Sequence, residues 1–209
     1  MWTLQIRLSI LTLLLAVFSS EKVLAENYAL VIGGSSKKVE SKQQEFARVT
    51  AAASIGLKAK GYNVTTLFGS GRDDQEKEKY PGDFEKISSL QNGNAIGASK
   101  VATAQNIDAV FEALIANVKS GDHVEVLVSA HGSDTCEALG SHLRNDTGSQ
   151  CKHTFTVFDS DGRETQYPSE KILGYLKKLE DKGALPSVVF QSCHSGRAKA
   201  QFKSLGLTN

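Results

Sequence analysis

A thiol and an imidazole end two apolar runs in this chain. "VVFQSCHSG" (188–196) leads Val188, Val189 and Phe190 into Cys193, and "VLVSAHGSD" (126–134) leads a similar run into His131. A free cysteine has a pKa of about 8.5; a neighbouring imidazole lowers it and carries the proton in acyl transfer. In such a reaction the backbone N–H groups of Gly132 and Cys193 would be the ones to hold a developing oxyanion. Each residue also has a plainer reading, His131 as a hydrogen-bonded strand-end histidine and Cys193 as a packed core thiol. Their matching positions at the ends of two core strands favour the pair.

The elements that would position them follow from the pattern of apolar residues. "YALVIGG" (28–34) reads as a buried strand and a tight loop, and 40–60 as a helix stopped by Gly61. A second strand covers 62–68. The polar, charged stretch 70–99 reads as a long surface excursion. A helix over 103–118, a turn at 120–122 and a third strand over 123–130 follow. Residues 137–152 read as loop, and 154–158 with 164–167 as a small hairpin around "DSDG". A helix over 169–179, a strand over 187–191 behind Pro186, and a helix over 198–205 complete the set. The expectation is an α/β fold, a mostly parallel sheet with helices on both faces. Ligands of such sheets bind beyond the carboxyl ends of the strands. Those ends carry Gly33, Gly34, Gly69, His131, Gly132 and Cys193.

The chain has three cysteines. Cys136 and Cys151 share one loop, whose closure is worth roughly 3 kcal/mol in the chain-entropy model. A disulfide between them leaves Cys193 free; the other reading leaves all three free. The compartment follows from "MWTLQIRLSILTLLLAVFSSEKVLAEN": a basic start at Arg7, an apolar stretch from Leu8 to Phe18, and a small residue, Ala25, before the cut. This is the pattern of a secretory signal peptide over 1–25, with the domain over 26–209. Its apolar stretch is about half the ~20 residues a spanning helix needs. Removal leaves no stable membrane anchor and puts the protein in a secreted or periplasmic, oxidising setting. Lys and Arg total 24 against 23 Asp and Glu. No basic stripe stands out, which argues against nucleic acid as a partner.

The two motifs resemble those of caspase-like cysteine peptidases: caspases, metacaspases, paracaspases and, more distantly, legumains. "SAHGS" resembles the histidine motif, and "SCHSG" is very similar to the metacaspase cysteine motif. Gln191, two places before the cysteine, is closer to the caspase Gln-Ala-Cys pattern. "YALVIGG" resembles the first strand of that fold. The resemblance spans most of 27–200. It implies a caspase-like fold and a cysteine endopeptidase with a Cys193/His131 dyad, acting on peptide or protein substrates without a cofactor. The family fold usually continues past the cysteine with further strands. Only residues 194–209 follow it here, so a domain truncated after the catalytic cysteine is expected.

Specificity is the least determined feature. Lys37 and Lys38 could answer an acidic substrate residue, Asp159 and Asp161 a basic one, and Gln191 a polar one. The metacaspase-like motif puts cleavage after a basic residue ahead. The chief rival is a non-catalytic caspase-like domain that binds a peptide or partner; a thiol acyl transferase is a third reading. Other signals fall away. Lys199 stands where a phosphatase loop needs arginine, "GGSSKK" is no phosphate-binding loop, and Ser195 lacks the nucleophile elbow. "DSDG" has its glycine too early for an EF-hand. His123, His142, His153 and His194 lack metal-ligand spacing, so no metal is expected.

Overall fold

The first apolar run forms β1, Asn27–Gly33, with every residue from Ala29 onward buried. The structure, a computed structural model, describes residues 25–34, 40–69, 81–94, 101–136, 151–192 and 198–199. Parallel partners flank β1: β2, Asn63–Phe68, on one side and β3, His123–Ser129, on the other. Strand β7, Leu185–Gln191, pairs with β3, again parallel, so the sheet order is β2-β1-β3-β7, with β7 at the edge among the described residues. Strands covered on both faces lose the polar alternation of a half-exposed strand, which is why β1 reads as one unbroken apolar stretch.

Among the described residues four helices cover the sheet on both faces, as expected. On one face, α3 (Ala104–Asn117) contributes Ile107, Val110, Phe111 and Leu114. On the same face, α4 (Ser169–Asp181) contributes Ile172, Leu173, Leu176 and Leu179, all packed on Leu30, Ile32 and Val126. On the other face, α1 (Glu40–Ala59) lays Ala53 and Leu57 over Ala29, Val31 and Val64. Gly61 ends α1 as foreseen. Its φ is +83°, and the Tyr62 N–H closes back to the Leu57 carbonyl at 3.1 Å, a turn that costs a residue with a Cβ far more than glycine.

Two expectations need correction. The stretch 70–99 is not wholly a surface excursion. Pro81–Gln91 forms α2, whose Ile87 packs with Ala47, Ala51 and Phe68. Proline suits the first helical position, and the Phe84, Ile87, Leu90 spacing is helical, so the signal was present within a charged background. Residues 132–136 form β4 (Gly132–Cys136), which pairs antiparallel with β5 (Cys151–Phe158), so Cys151 and Lys152 lie in a strand and not a loop. The hairpin partner β6, Glu164–Pro168, completes a second, three-stranded sheet of order β4-β5-β6. "GSDT" has few branched or aromatic side chains, so β4 rests on its backbone ladder and not on propensity. Pro186 lies inside β7, which among the described residues is an edge strand, a place where proline is tolerated. The expected helix over 198–205 falls largely outside the described residues.

Candidate functional site

Of the residues singled out for chemistry, His131, Gly132 and Gln191 lie at the carboxyl edge of the parallel sheet. Ser129 of β3 is paired with Gln191 of β7. His131 therefore stands two residues past one member of a matched pair on adjacent strands, and 193 follows the other member by two places in sequence. The Ala130 N–H reaches the Gln191 carbonyl at 3.4 Å, extending the ladder by a step. His131 itself is exposed and Gly132 is buried. Cys193, Lys37 and Lys38 lie outside the described residues.

One strand spans this edge from end to end. At its start, the His153 Nε2 of β5 lies 3.1 Å from Ser192 Oγ, just past β7. Midway, the Thr156 N–H donates to the His131 carbonyl at 2.8 Å. The same residue crowds the end of β1, because a Cβ on Gly34 would fall 2.2 Å from the Thr156 oxygen. At its end, the Phe158 N–H donates to Ala102, whose own N–H donates to Gly69 beyond β2, at 3.0 and 3.2 Å. β5 is thus a crossbar over the four strand ends. The inward residues Phe155 and Val157 tie it into the main core.

The crossbar also sorts the other candidates. Asp159 and Asp161 follow Phe158, so they stand on the β2 side, three strand intervals or roughly 14 Å from the β7 side. Asp159 Oδ1 accepts from the N–H groups of Asp161 and Arg163 at 2.9 and 2.8 Å, holding the β5–β6 turn. Asp161 pairs with Arg163 at 3.5 Å. Gln191, exposed at the end of β7, is the one specificity candidate that the described residues place beside position 193. Cys136 and Cys151 are opposite one another as a pair of the β4–β5 ladder. Directly opposed antiparallel residues have Cα atoms about 4.5–5.5 Å apart, within the range a disulfide spans.

Two residues were missed as parts of this edge. His153, set aside in the sequence for want of metal-ligand spacing, is fully buried between Ser192 and Ser169. The signal was its parity with Phe155 and Val157, which puts it on the inward face of β5. Ser129, also fully buried, has a hydroxyl without a hydrogen-bond partner among the described residues. A cluster of perturbed ionisable groups lies elsewhere, between α3 and α4. Burial alone would raise the Asp108 carboxyl. Bonds from Lys171 (2.6 Å), Tyr167 (2.5 Å) and Tyr175 (3.0 Å) outweigh it and hold the group below its ordinary value. Burial and the bond to Asp108 push the Tyr175 hydroxyl up to about 12. This cluster fastens two helices together. Among the described residues no group of three or more His, Cys, Asp or Glu side chains could hold a metal ion, and no helix is long and apolar enough to cross a membrane.

Comparison with known proteins gives little beyond this geometry. No family model matches the chain, and no curated protein matches it. Among solved structures it is similar to protein GSU0716 from Geobacter sulfurreducens, at 16% identity and a TM-score of 0.44, over 81% of this chain. The match takes in 51% of that protein, so the chain spans about half its length.

Proposed function

We propose that this chain is an exported cysteine endopeptidase of the caspase-like kind, with Cys193 as nucleophile and His131 as proton carrier. One observation carries the reading: β3 and β7 are adjacent, parallel and matched at Ser129 and Gln191. That register supports the reading because His131 and Cys193 each follow a member of the matched pair by two places in sequence, at the edge where open parallel sheets bind ligands. In the reaction the thiolate attacks the peptide carbonyl. The N–H groups of Gly132 and Cys193 steady the oxyanion, and the imidazole gives a proton to the leaving amine. Water then releases the acyl group. His131 is exposed and so can exchange its proton with solvent between turnovers. Its main chain, meanwhile, is held by Thr156.

Cleavage after a basic residue remains the leading specificity because of the Ser-Cys-His-Ser-Gly motif. Asp159 is occupied by its turn and stands on the β2 side, which favours Gln191 over it as the neighbour of the cleaved residue. The oxidising destination fits a Cys136–Cys151 bridge. One feature favours the rival binding role: Leu185 and Val189 on β7 are 54% and 48% exposed, an open apolar flank suited to a partner. Turnover separates the two. On a peptide library, Cys193→Ala and His131→Ala should each lower kcat by at least ~10³-fold, since members of one catalytic unit fail together. Near-wild-type turnover in either variant refutes the peptidase; no turnover in the wild type favours the binder.

A further inference from the structure

The buried imidazole of His153 joins two serines that belong to different elements. Its Nδ1 is 2.6 Å from Ser169 Oγ, in the first turn of α4. Its Nε2 is 3.1 Å from Ser192 Oγ, the residue before Cys193. His153 and Ser169 are both 0% exposed. The Phe190 ring meets the imidazole edge-on, with centroids 5.7 Å apart and planes at 74°. The imidazole is therefore fixed in place and orientation by β5, α4 and β7 at once.

We infer that His153 is a positioning residue that sets the nucleophile through Ser192. The inference rests on the reading of Cys193 as that nucleophile. β7 is an edge strand, paired on one side by β3 among the described residues, and its final ladder bond, Ala130 to Gln191, is long at 3.4 Å. The segment leading into Cys193 is thus weakly held by the sheet itself. The His153–Ser192 bond supplies a second hold at the last residue before the thiol. Because β5 also grips the His131 carbonyl through Thr156, one strand holds the His131 main chain and the side chain of the residue before Cys193. An opposing arrangement makes Ser192 itself the nucleophile and His153 its base. The geometry disfavours it. Nδ1 faces a hydroxyl where a proton relay wants a carboxylate, and a fully buried imidazole is poorly placed to hand a proton to a leaving group.

The test uses the full chain carrying Ser192→Ala, His153→Gln or both, with Ile172→Val as a control for lost core packing. Inactivation by a peptide acyloxymethyl ketone, which needs an aligned site, is compared with alkylation by iodoacetamide, which needs only a reachable thiol. Each single variant should slow the ketone reaction by about 10²-fold while leaving iodoacetamide within about threefold, since misplacement by ~1 Å costs that much. The double variant should be no slower than the worse single one, because both break the same bond. Ile172→Val should lower the thermal midpoint without slowing the ketone. Folded Ser192→Ala protein reacting at the wild-type rate overturns the inference. A fluorophosphonate adduct on Ser192 overturns it too, by making Ser192 the nucleophile. Should His153→Gln fail to fold, Ser192→Ala decides alone. A wild-type chain whose Cys193 takes no ketone refutes the peptidase reading instead. Positioning is then read from amide hydrogen exchange over 191–193: faster exchange in Ser192→Ala supports it, and unchanged exchange refutes it.

Discussion

Gly34 stands where the end of β1 meets the crossbar, and adding one methyl group there strains the site and the fold together. A Cβ at Gly34 would lie 2.2 Å from the Thr156 carbonyl oxygen and 2.5 Å from Ala130 Cβ. Such atoms approach no nearer than about 3.0 Å, so they must part by roughly 0.8 Å at Thr156. Neither neighbour is a side chain that can swing aside. Thr156 is β5 backbone bonded to His131, and Ala130 is the residue before His131. Gly34→Ala should therefore cost about 1–3 kcal/mol, the usual penalty of overpacking. Displacement of His131 by most of an ångström should slow ketone inactivation of Cys193 by about 10²-fold. Urea denaturation gives the first quantity, and inactivation rates measured well below the unfolding transition give the second. Gly33→Ala is the control. Its Cβ would meet the Phe68 ring and Thr50 Oγ1, at 2.3 and 2.4 Å, away from His131. It should lose stability and keep the inactivation rate within about fivefold, since the reacting groups stay put. Gly34→Ala protein as stable and as reactive as the wild type would refute the crossbar as the support of His131.

Other outcomes follow from particular contacts. Non-reducing peptide mapping of exported protein should find Cys136 linked to Cys151 and Cys193 free; losing the bridge should cost roughly 3 kcal/mol, and a bridge to Cys193 in active material would refute the pairing. Asp108→Ala strands the buried Tyr167 hydroxyl and should cost about 1–3 kcal/mol by denaturation at neutral pH. Because the folded Asp108 carboxyl sits below its ordinary value, its contribution is present above the unfolded pKa of about 3.9 and fades as pH falls through the folded one. Asp108→Asn should therefore flatten the stability profile below about pH 4, and an unchanged acid limb would contradict this. Finally, the Glu26 N–H donates to Asp122 Oδ1 at 2.8 Å, and Asp122 is 2% exposed. Cleavage before Glu26 turns that nitrogen into an ammonium on a buried carboxylate. Asp122→Asn should then cost a chain starting at Glu26 about 2 kcal/mol more than one with residues ahead of it. Equal costs, or Met1 found on exported protein, would contradict cleavage there.

The parallel sheet was legible because its strands are short apolar runs bounded by glycine, as at "YALVIGG", and because helices separate them at regular intervals. That the strands before His131 and Cys193, β3 and β7, are neighbours followed from strand order alone. What stayed hidden was carried by backbone and tertiary contact. β4 has no apolar alternation, so its ladder with β5 leaves no trace in composition. The role of β5 as a crossbar depends on bonds from Thr156 and Phe158 to residues 25 or more places earlier, which no local pattern reports. Asp159 looked available for a substrate because its sequence is polar, yet its carboxylate is spent on two N–H groups of its own turn. His153 showed only its parity, and that parity does not say which hydroxyls it meets.

The central claim is that Cys193 is a nucleophile served by His131. Its most direct test is mass-spectrometric mapping of the adduct left by a peptide acyloxymethyl ketone on exported wild-type protein and on folded His131→Ala. The account predicts a single thioether on Cys193 in the wild type, with the His131→Ala protein reacting at least ~10³-fold more slowly. Labelling of Cys193 at equal rates in both proteins, or an adduct on Cys136 or Cys151 with Cys193 untouched, would contradict it.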